Sequence, residues 1–370
     1  MSAPRSLRRR PARLVASPLV PALADRLAAR VLELVDVPSE SRSESALAAH
    51  VLRVLGDGAR DAGDTCVLAG TTARSERPLV LLAGHLDTVP AQGNLPGARE
   101  DGWVTGLGAA DMKAALGVMV ELALAPPSEA TVDLGFVFFG REEQPHTESA
   151  LTPLLEREPG LRDADLVVVM EPTANELHAG CLGNLNATWT FRGTAGHSAR
   201  PWLADNAIHR AAAGIAALAA VEPVEHRFGD LTFTEVVSVT QIEGGVALNV
   251  VPDTCVAKVN MRYAPGTAPA DAEARLHALC DPHGELVIDA DAPSGAVPEG
   301  NALVERLVTA GSLAVAPKQA WTPVAEFAAA GVDAVNFGPG DPRYAHRRDE
   351  RVAVEALVAC HDTLVRFLCA

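Results

Sequence analysis

The sequence predicts an α/β fold: a mostly parallel mixed sheet, interrupted by an inserted ferredoxin-like α+β unit. Three observations carry this. Short, wholly apolar runs, "PLVLLAG" (78–84), "VDLGFVFFG" (132–140) and "DADLVVVM" (163–170), read as strands buried on both faces. Between the first two lies "DMKAALGVMVELALA", apolar at helical spacing, so strand and helix alternate as in a parallel sheet covered on both sides. Near Gly180 the pattern changes. "LNATWTFR" (185–192) puts Leu185, Ala187, Trp189 and Phe191 on one face and polar partners on the other, which marks a half-exposed strand.

In chain order, a helix from about Ala22 ("ALADRLAARVLELV"), a turn ("DVPSESRSES") and a second helix ("ALAAHVLRVL") precede the first buried strand. After the half-exposed strand come a helix ("LADNAIHRAAAGIAALAA"), strands at "LTFTEVVSVTQI" and "TCVAKVNMRY", a helix ("PADAEARLHALC") and a last strand ("ELVIDA"). That β-α-β-β-α-β order is the ferredoxin-like one. Beyond Pro293 helix and strand alternate again, with "AVNFGPG" as a late strand and turn. The expected organisation is a disordered tail at 1–22, a first domain in two parts (23–179 and 292–370) and an inserted unit at 180–291. A length of 370 residues suits two domains better than one core.

Hydrophobic residues make up 48% and charged residues 21%, a globular balance. The formal net charge of −16 argues against nucleic acid or an anionic membrane as partner. Pro18 and Pro21 break the apolar stretch near the basic N-terminus, so "MSAPRSLRRRPARLVASPLVPALADR" reads as a tail rather than a signal peptide. No apolar run approaches the ~20 residues that span a bilayer. Six cysteines, scattered without a CxxC pair, point to reduced thiols and a cytoplasmic protein.

The chemistry-bearing residues sit where apolar strands stop or a helix opens beside them, the edge at which open α/β sheets bind ligands. His85 and Asp87 follow the first buried strand; Glu142 and Glu143 follow the second; Glu171 follows the third. Asp111 precedes a helix in "GLGAADMKAALG", where it occupies the sixth position of a Gly-rich turn and so excludes a pyrophosphate. His346 follows a Gly/Pro-rich turn. Taken singly, each has a plain alternative: a salt-bridged H-x-D pair, a helix cap at Asp111, a solvated turn at the glutamates, a strand-end charge, a surface histidine. Gathered in one crevice, four acids would repel without a cation. Two histidines and three carboxylates would serve two zinc ions if one carboxylate bridges them, leaving a glutamate for proton transfer.

The series His85-x-Asp87, Asp111-Met112-Lys113, Glu142-Glu143, Glu171 and His346 resembles the di-zinc hydrolase family of aminoacylases, deacetylases, carboxypeptidases and desuccinylases. The order and spacing fit from about residue 24 to the C-terminus. The segments "GHSARPWLADNAIHRAA", "EGGVALNVVPD", "VNMRYAPG" and "AWTPVAEFAAAGVDAVNFGPGDPRYAHRRDE" are most similar to the desuccinylase branch. The resemblance implies two Zn2+ per subunit, with Co2+ able to substitute. His85 and Glu171 would hold one ion, Glu143 and His346 the other, and Asp111 would bridge. Asp87 would orient His85, Glu142 would be the general base, and the Asp111–Met112 bond would be cis. It further implies a homodimer formed through the inserted lid unit, with His197 reaching the partner's site to stabilise the oxyanion. Asn249 and Arg262 would contact the substrate, a small N-acylated amino acid.

The implied reaction releases succinate and LL-2,6-diaminopimelate from N-succinyl-LL-2,6-diaminopimelate, a step of lysine and diaminopimelate biosynthesis. Alternatives within the family are a deacetylase of the acetyl-ornithine type, a carboxypeptidase or a specialised-pathway deacylase; outside it, a non-catalytic binding protein on the same fold. Several positions depart from the pattern: Ala114 and Ala115 replace a common glycine pair, Arg141 precedes the glutamates, and "QPHTES" follows them. The turn at Cys181–Leu182 lacks the basic residues that some desuccinylases carry there.

Overall fold

The computed structural model describes residues 22–70 and 75–370. The expected tail lies outside them, except for Ala22. The three apolar runs become strands Leu79–His85, Asp133–Phe139 and Leu166–Val169, buried at every residue. They form the middle of an eight-stranded sheet whose order is Ala59–Gly63, Cys66–Gly70, Asp133–Phe139, Leu79–His85, Leu166–Val169, Ala334–Asn336, Leu177–Ala179 and Val315–Pro317. The four strands from Asp133–Phe139 to Ala334–Asn336 run parallel, and antiparallel pairs flank them.

Side-chain alternation splits the core into two layers. Val80 and Leu82 pack with helices Leu23–Val35, Ser45–Leu55, Lys113–Leu124 and Val354–Cys369. Leu79, Leu81 and Ala83 point the other way, onto helices Leu151–Arg157 and Val324–Ala329. Helix Lys113–Leu124 is buried almost all round, as its apolar sequence requires. Small residues let it press close: a Cβ on Gly117 would lie 2.6 Å from Val31, and one on Gly84 would lie 2.9 Å from both Leu116 and Met112.

Residues 183–292 form a second sheet of five antiparallel strands, ordered Val224–Phe228, Leu231–Gly244, Thr254–Tyr263, Gly183–Arg192 and Glu285–Ala292. Leaving aside the edge strand Val224–Phe228, this is the ferredoxin-like arrangement, with helices Ala207–Ala219 and Pro269–Cys280. The extra edge strand leaves little signal in the sequence because "VEHRF" is short and interleaves its two apolar residues, Val224 and Phe228, with charged and polar ones; Gly229, at φ +59°, turns it back onto Leu231–Gly244. The helix read from "LADNAIHRAAAGIAALAA" begins only at Ala207, because the Asn206 side chain accepts the backbone N–H groups of Ile208 and His209.

A small sheet bears directly on the site. Strand Arg351–Ala353 pairs antiparallel with Trp103–Thr105, which brings the "HRRDE" segment against the loop before Asp111.

Candidate metal centre

Three parallel strands deliver their acids and histidine to one edge of the sheet. His85 is the last residue of the central strand and is buried. Its Nδ1–H donates to the Asp87 backbone carbonyl (2.9 Å), while the Asp87 carboxylate stands 3.6 Å away. The carboxylate has another task. It accepts the backbone N–H of Glu142 and of Glu143, each at 3.0 Å, and the Ser41 hydroxyl at 2.8 Å. Asp87 therefore fixes the turn carrying the paired glutamates, besides holding the imidazole through its main chain.

Asp111 stands between the two histidines. Its Oδ1 lies 3.1 Å from His85 Nε2, and its Oδ2 lies 3.6 Å from His346 Nε2. His346 Nε2 is 2.8 Å from Glu143 Oε1, and Glu171 Oε1 is 3.9 Å from His85 Nε2. Two groups have ligand atoms mutually within 4.8 Å: His85, Asp111 and Glu143, and His85, Glu142 and Glu171. The Asp111–Met112 peptide is cis. His346 is exposed and adopts φ +59°, so the cluster opens to solvent on its side.

The electrostatics are those of acids crowded together. Burial and the neighbouring Glu171 raise the Glu142 pKa well above its ordinary value. Burial and Asp111 push Glu171 up to about 7. Burial opposes charge on His85, but Asp111 and Asp87 outweigh it and raise its pKa well above normal. The hydrogen bond with Glu143 lifts His346 to about 9. Burial works against ionised Asp111, yet His85 keeps its carboxyl below the usual range. A dication would reverse this logic, replacing shared protons as the counter-charge.

The comparisons with known proteins agree with this chemistry. The model of peptidase family M20/M25/M40 matches residues 81–370. The chain belongs to that family. It is 40% identical over 339 residues to a Mycobacterium tuberculosis protein provisionally named succinyl-diaminopimelate desuccinylase, covering 90% of this chain and 96% of the relative. It is 35% identical over 354 residues to the succinyl-diaminopimelate desuccinylase of Corynebacterium glutamicum, covering 90% and 94%. Among solved structures, an M20 family metallo-carboxypeptidase of Sulfolobus solfataricus shares the fold, with a TM-score of 0.74 at 18% identity, over 93% of this chain and 99% of the other.

As an M20/M25/M40 member, the chain is a metal-dependent amide hydrolase. The residues present fit a cation: Glu171 Oε1 is buried and accepts no hydrogen bond, which is costly for a carboxylate left unpaired. Imidazole and carboxylate donors together suit zinc.

One residue of this M20 site was missed from sequence. The buried Glu350 carboxylate accepts the backbone N–H groups of Gly108 (2.9 Å), Ala110 (3.0 Å) and Asp111 (2.9 Å), pinning the loop that presents Asp111. Lys113 is likewise structural: its buried ammonium donates to the Val37 carbonyl at 2.8 Å. Arg141 points away from the acids, donating to the Glu148 carbonyl (2.7 Å) and the Asp64 carboxylate (2.7 Å), so it ties down "QPHTES" rather than facing the site.

The remaining expected residues lie in the second sheet unit, and among the described residues no hydrogen bond or ion pair joins them to the cluster. Exposed His197 sits on the two-residue strand Gly196–His197, paired with Val250–Val251, and the Asn249 carbonyl accepts the Ser198 N–H at 3.0 Å. His197 and Asn249 thus share one corner. Arg262, on strand Thr254–Tyr263, donates to Asn260 Oδ1 at 3.1 Å.

Proposed function

We propose that this protein hydrolyses the succinyl amide of N-succinyl-LL-2,6-diaminopimelate, giving succinate and LL-2,6-diaminopimelate, in the cytoplasm as a step of lysine and diaminopimelate biosynthesis. The observation that carries the hydrolytic reading is Asp111, whose two oxygens face two different histidines, the placement a bridging carboxylate needs. The choice of acyl group rests on the names of the 40% and 35% identical relatives. Cytoplasmic residence is supported by six free cysteines, five of them buried.

In this reading His85 and Glu171 would hold one zinc and Glu143 and His346 the other, with Asp111 shared between them; Co2+ would serve in their place. The ions would supply an acidified water and polarise the amide carbonyl. Glu142 accepts the proton of the attacking water and returns it to the departing amine, a task suited to a carboxyl whose burial and acidic neighbours raise its proton affinity. Asp87 and Glu350 keep the glutamate turn and Asp111 in place through backbone N–H groups. Residues 23–179 and 292–370 would form the catalytic domain, and 180–291 a lid that also dimerises. In the dimer, His197 would stabilise the oxyanion in the partner's site, while Asn249 and Arg262 contact the substrate. The exposed side chains of Trp202, Leu203, Val246 and Leu248 near His197 support that interface.

The deciding experiment is turnover of N-succinyl-LL-2,6-diaminopimelate, with and without added zinc, beside N-acetylornithine and a dipeptide. Zinc-dependent preference for the succinyl substrate is expected. A preference for either competitor would move the protein to another branch of the family.

A further inference from the structure

Lys318 is a buried cation that the reaction above does not use. It follows strand Val315–Pro317, the outermost strand of the large sheet, and is only 8% exposed. Its backbone carbonyl accepts the N–H of Leu182, so it lies against the Cys181–Leu182 turn. Its ammonium reaches the Pro172 carbonyl, next in sequence to Glu171, at 3.4 Å. Among the described residues that long contact is the single hydrogen bond of its side chain, and none of their carboxylates lies within ion-pair distance. An ammonium carries three donors, and this one spends a single donor on a long bond, so two remain for an anion that would add to the attraction of the nearby Glu171 and Asp111.

The surroundings show where such an anion would sit. Its ammonium points to the residue that follows Glu171, while its main chain bonds the turn at Cys181–Leu182. Lys318 therefore stands between the acid cluster and the turn at Cys181–Leu182, which brings no cation of its own. In a succinyl amide the free carboxylate is separated from the scissile carbonyl by two methylenes. A substrate with its amide at the cluster would carry that carboxylate a short way beyond Glu171.

We propose that Lys318 binds the terminal carboxylate of the substrate's acyl arm and so sets the preference for a succinyl over an acetyl group. This rests on the desuccinylase reading. It replaces an expected cation at the Cys181–Leu182 turn with one from a different strand of the sheet.

The test compares kcat/KM for the N-succinyl and N-acetyl forms of the same diamino acid, using zinc-loaded wild type, Lys318→Met and Lys318→Arg. Lys318→Met is expected to cut the succinyl-over-acetyl ratio by ~10–100-fold, chiefly through KM, the scale of a lost charge-assisted hydrogen bond. Lys318→Arg should retain most of the ratio. A substrate ending in a neutral amide, the succinamoyl analogue, probes wild type without any variant and should lose a similar factor. Equal handling of succinyl and succinamoyl substrates by wild type, or an unchanged ratio in folded Lys318→Met, would overturn the role of Lys318 while leaving desuccinylation intact. A wild type with no succinyl preference at all would overturn both.

Discussion

Glu142 and Glu143 are neighbours in sequence, yet their surroundings divide them. Glu143 faces His346 at 2.8 Å, whereas Glu142 groups with His85 and Glu171 and has its pKa raised by burial and by the Glu171 charge. If Glu142 handles the proton, Glu142→Ala should keep its bound zinc, measured by elemental analysis, and lose ~10²–10⁴-fold in kcat. Substantial remaining turnover would remove it from the role. Glu350 makes the complementary case, because it holds the loop rather than the substrate. Its three backbone N–H partners need two acceptor oxygens, and Glu350→Gln would turn an amide N–H2 toward at least one of them. Zinc affinity, read by competition with a chelator, should weaken ~10–100-fold. The two residues also show what a sequence reveals. The histidines and acids of the cluster are legible because they interrupt apolar runs, where a charge needs a reason. Glu350 is not, since a carboxylate that bonds only main-chain N–H groups leaves no pattern of partner residues.

Elements repeat this lesson. The buried strands and the Lys113–Leu124 helix follow directly from unbroken apolar sequence, while Val224–Phe228 owes its pairing to a glycine turn and a neighbour. Arg141 and "QPHTES" depart from the family pattern without a reason visible in the sequence, because the contacts that explain them, with Asp64 and within the loop itself, are tertiary. The loop leads into helix Leu151–Arg157, whose start is secured from another element. Glu326, buried on helix Val324–Ala329, accepts the Thr152 N–H at 3.0 Å, the Thr152 hydroxyl at 2.6 Å and the Ser149 hydroxyl at 3.1 Å. Burial outweighs these bonds and raises its pKa above the usual carboxylate value. The folded state thus holds the Glu326 proton more tightly than the unfolded chain. Its contribution is fully present below the unfolded pKa of about 4.5 and is lost as pH rises through the raised folded value. Wild type should therefore lose stability relative to Glu326→Gln as pH climbs from about 4.5, measured as the difference in urea unfolding free energy. A difference flat with pH would mean that the carboxyl titrates normally.

At the scale of the molecule, the most exposed of the large apolar residues lie on the second sheet unit. Trp202, Leu203, Ile242, Val246 and Leu248 are all at least half exposed, and Leu248 is fully so. Strand Leu231–Gly244 pairs with Val224–Phe228 over Leu231–Glu235 and with Thr254–Tyr263 over Val236–Gly244, so from Val236 onward its outer edge has no partner among the described residues. An apolar patch beside an open strand edge is suited to a second copy of the chain. If the patch closes a dimer, wild type should sediment as a dimer and Val246→Asp with Leu248→Asp as a monomer in sedimentation velocity; a monomeric wild type would leave the patch without that role. The placement of His197 beside this patch, with no bond to the acid cluster among the described residues, makes a sharper demand. If each subunit lends His197 to its partner, mixing inactive His197→Ala and Glu142→Ala proteins after subunit exchange gives hybrids with one site that is whole. Half of the dimers would be hybrids with one working site of two, so recovery approaches about a quarter of wild-type turnover. A mixture no more active than its parents would mean that His197 serves its own subunit, and the patch would then owe nothing to catalysis.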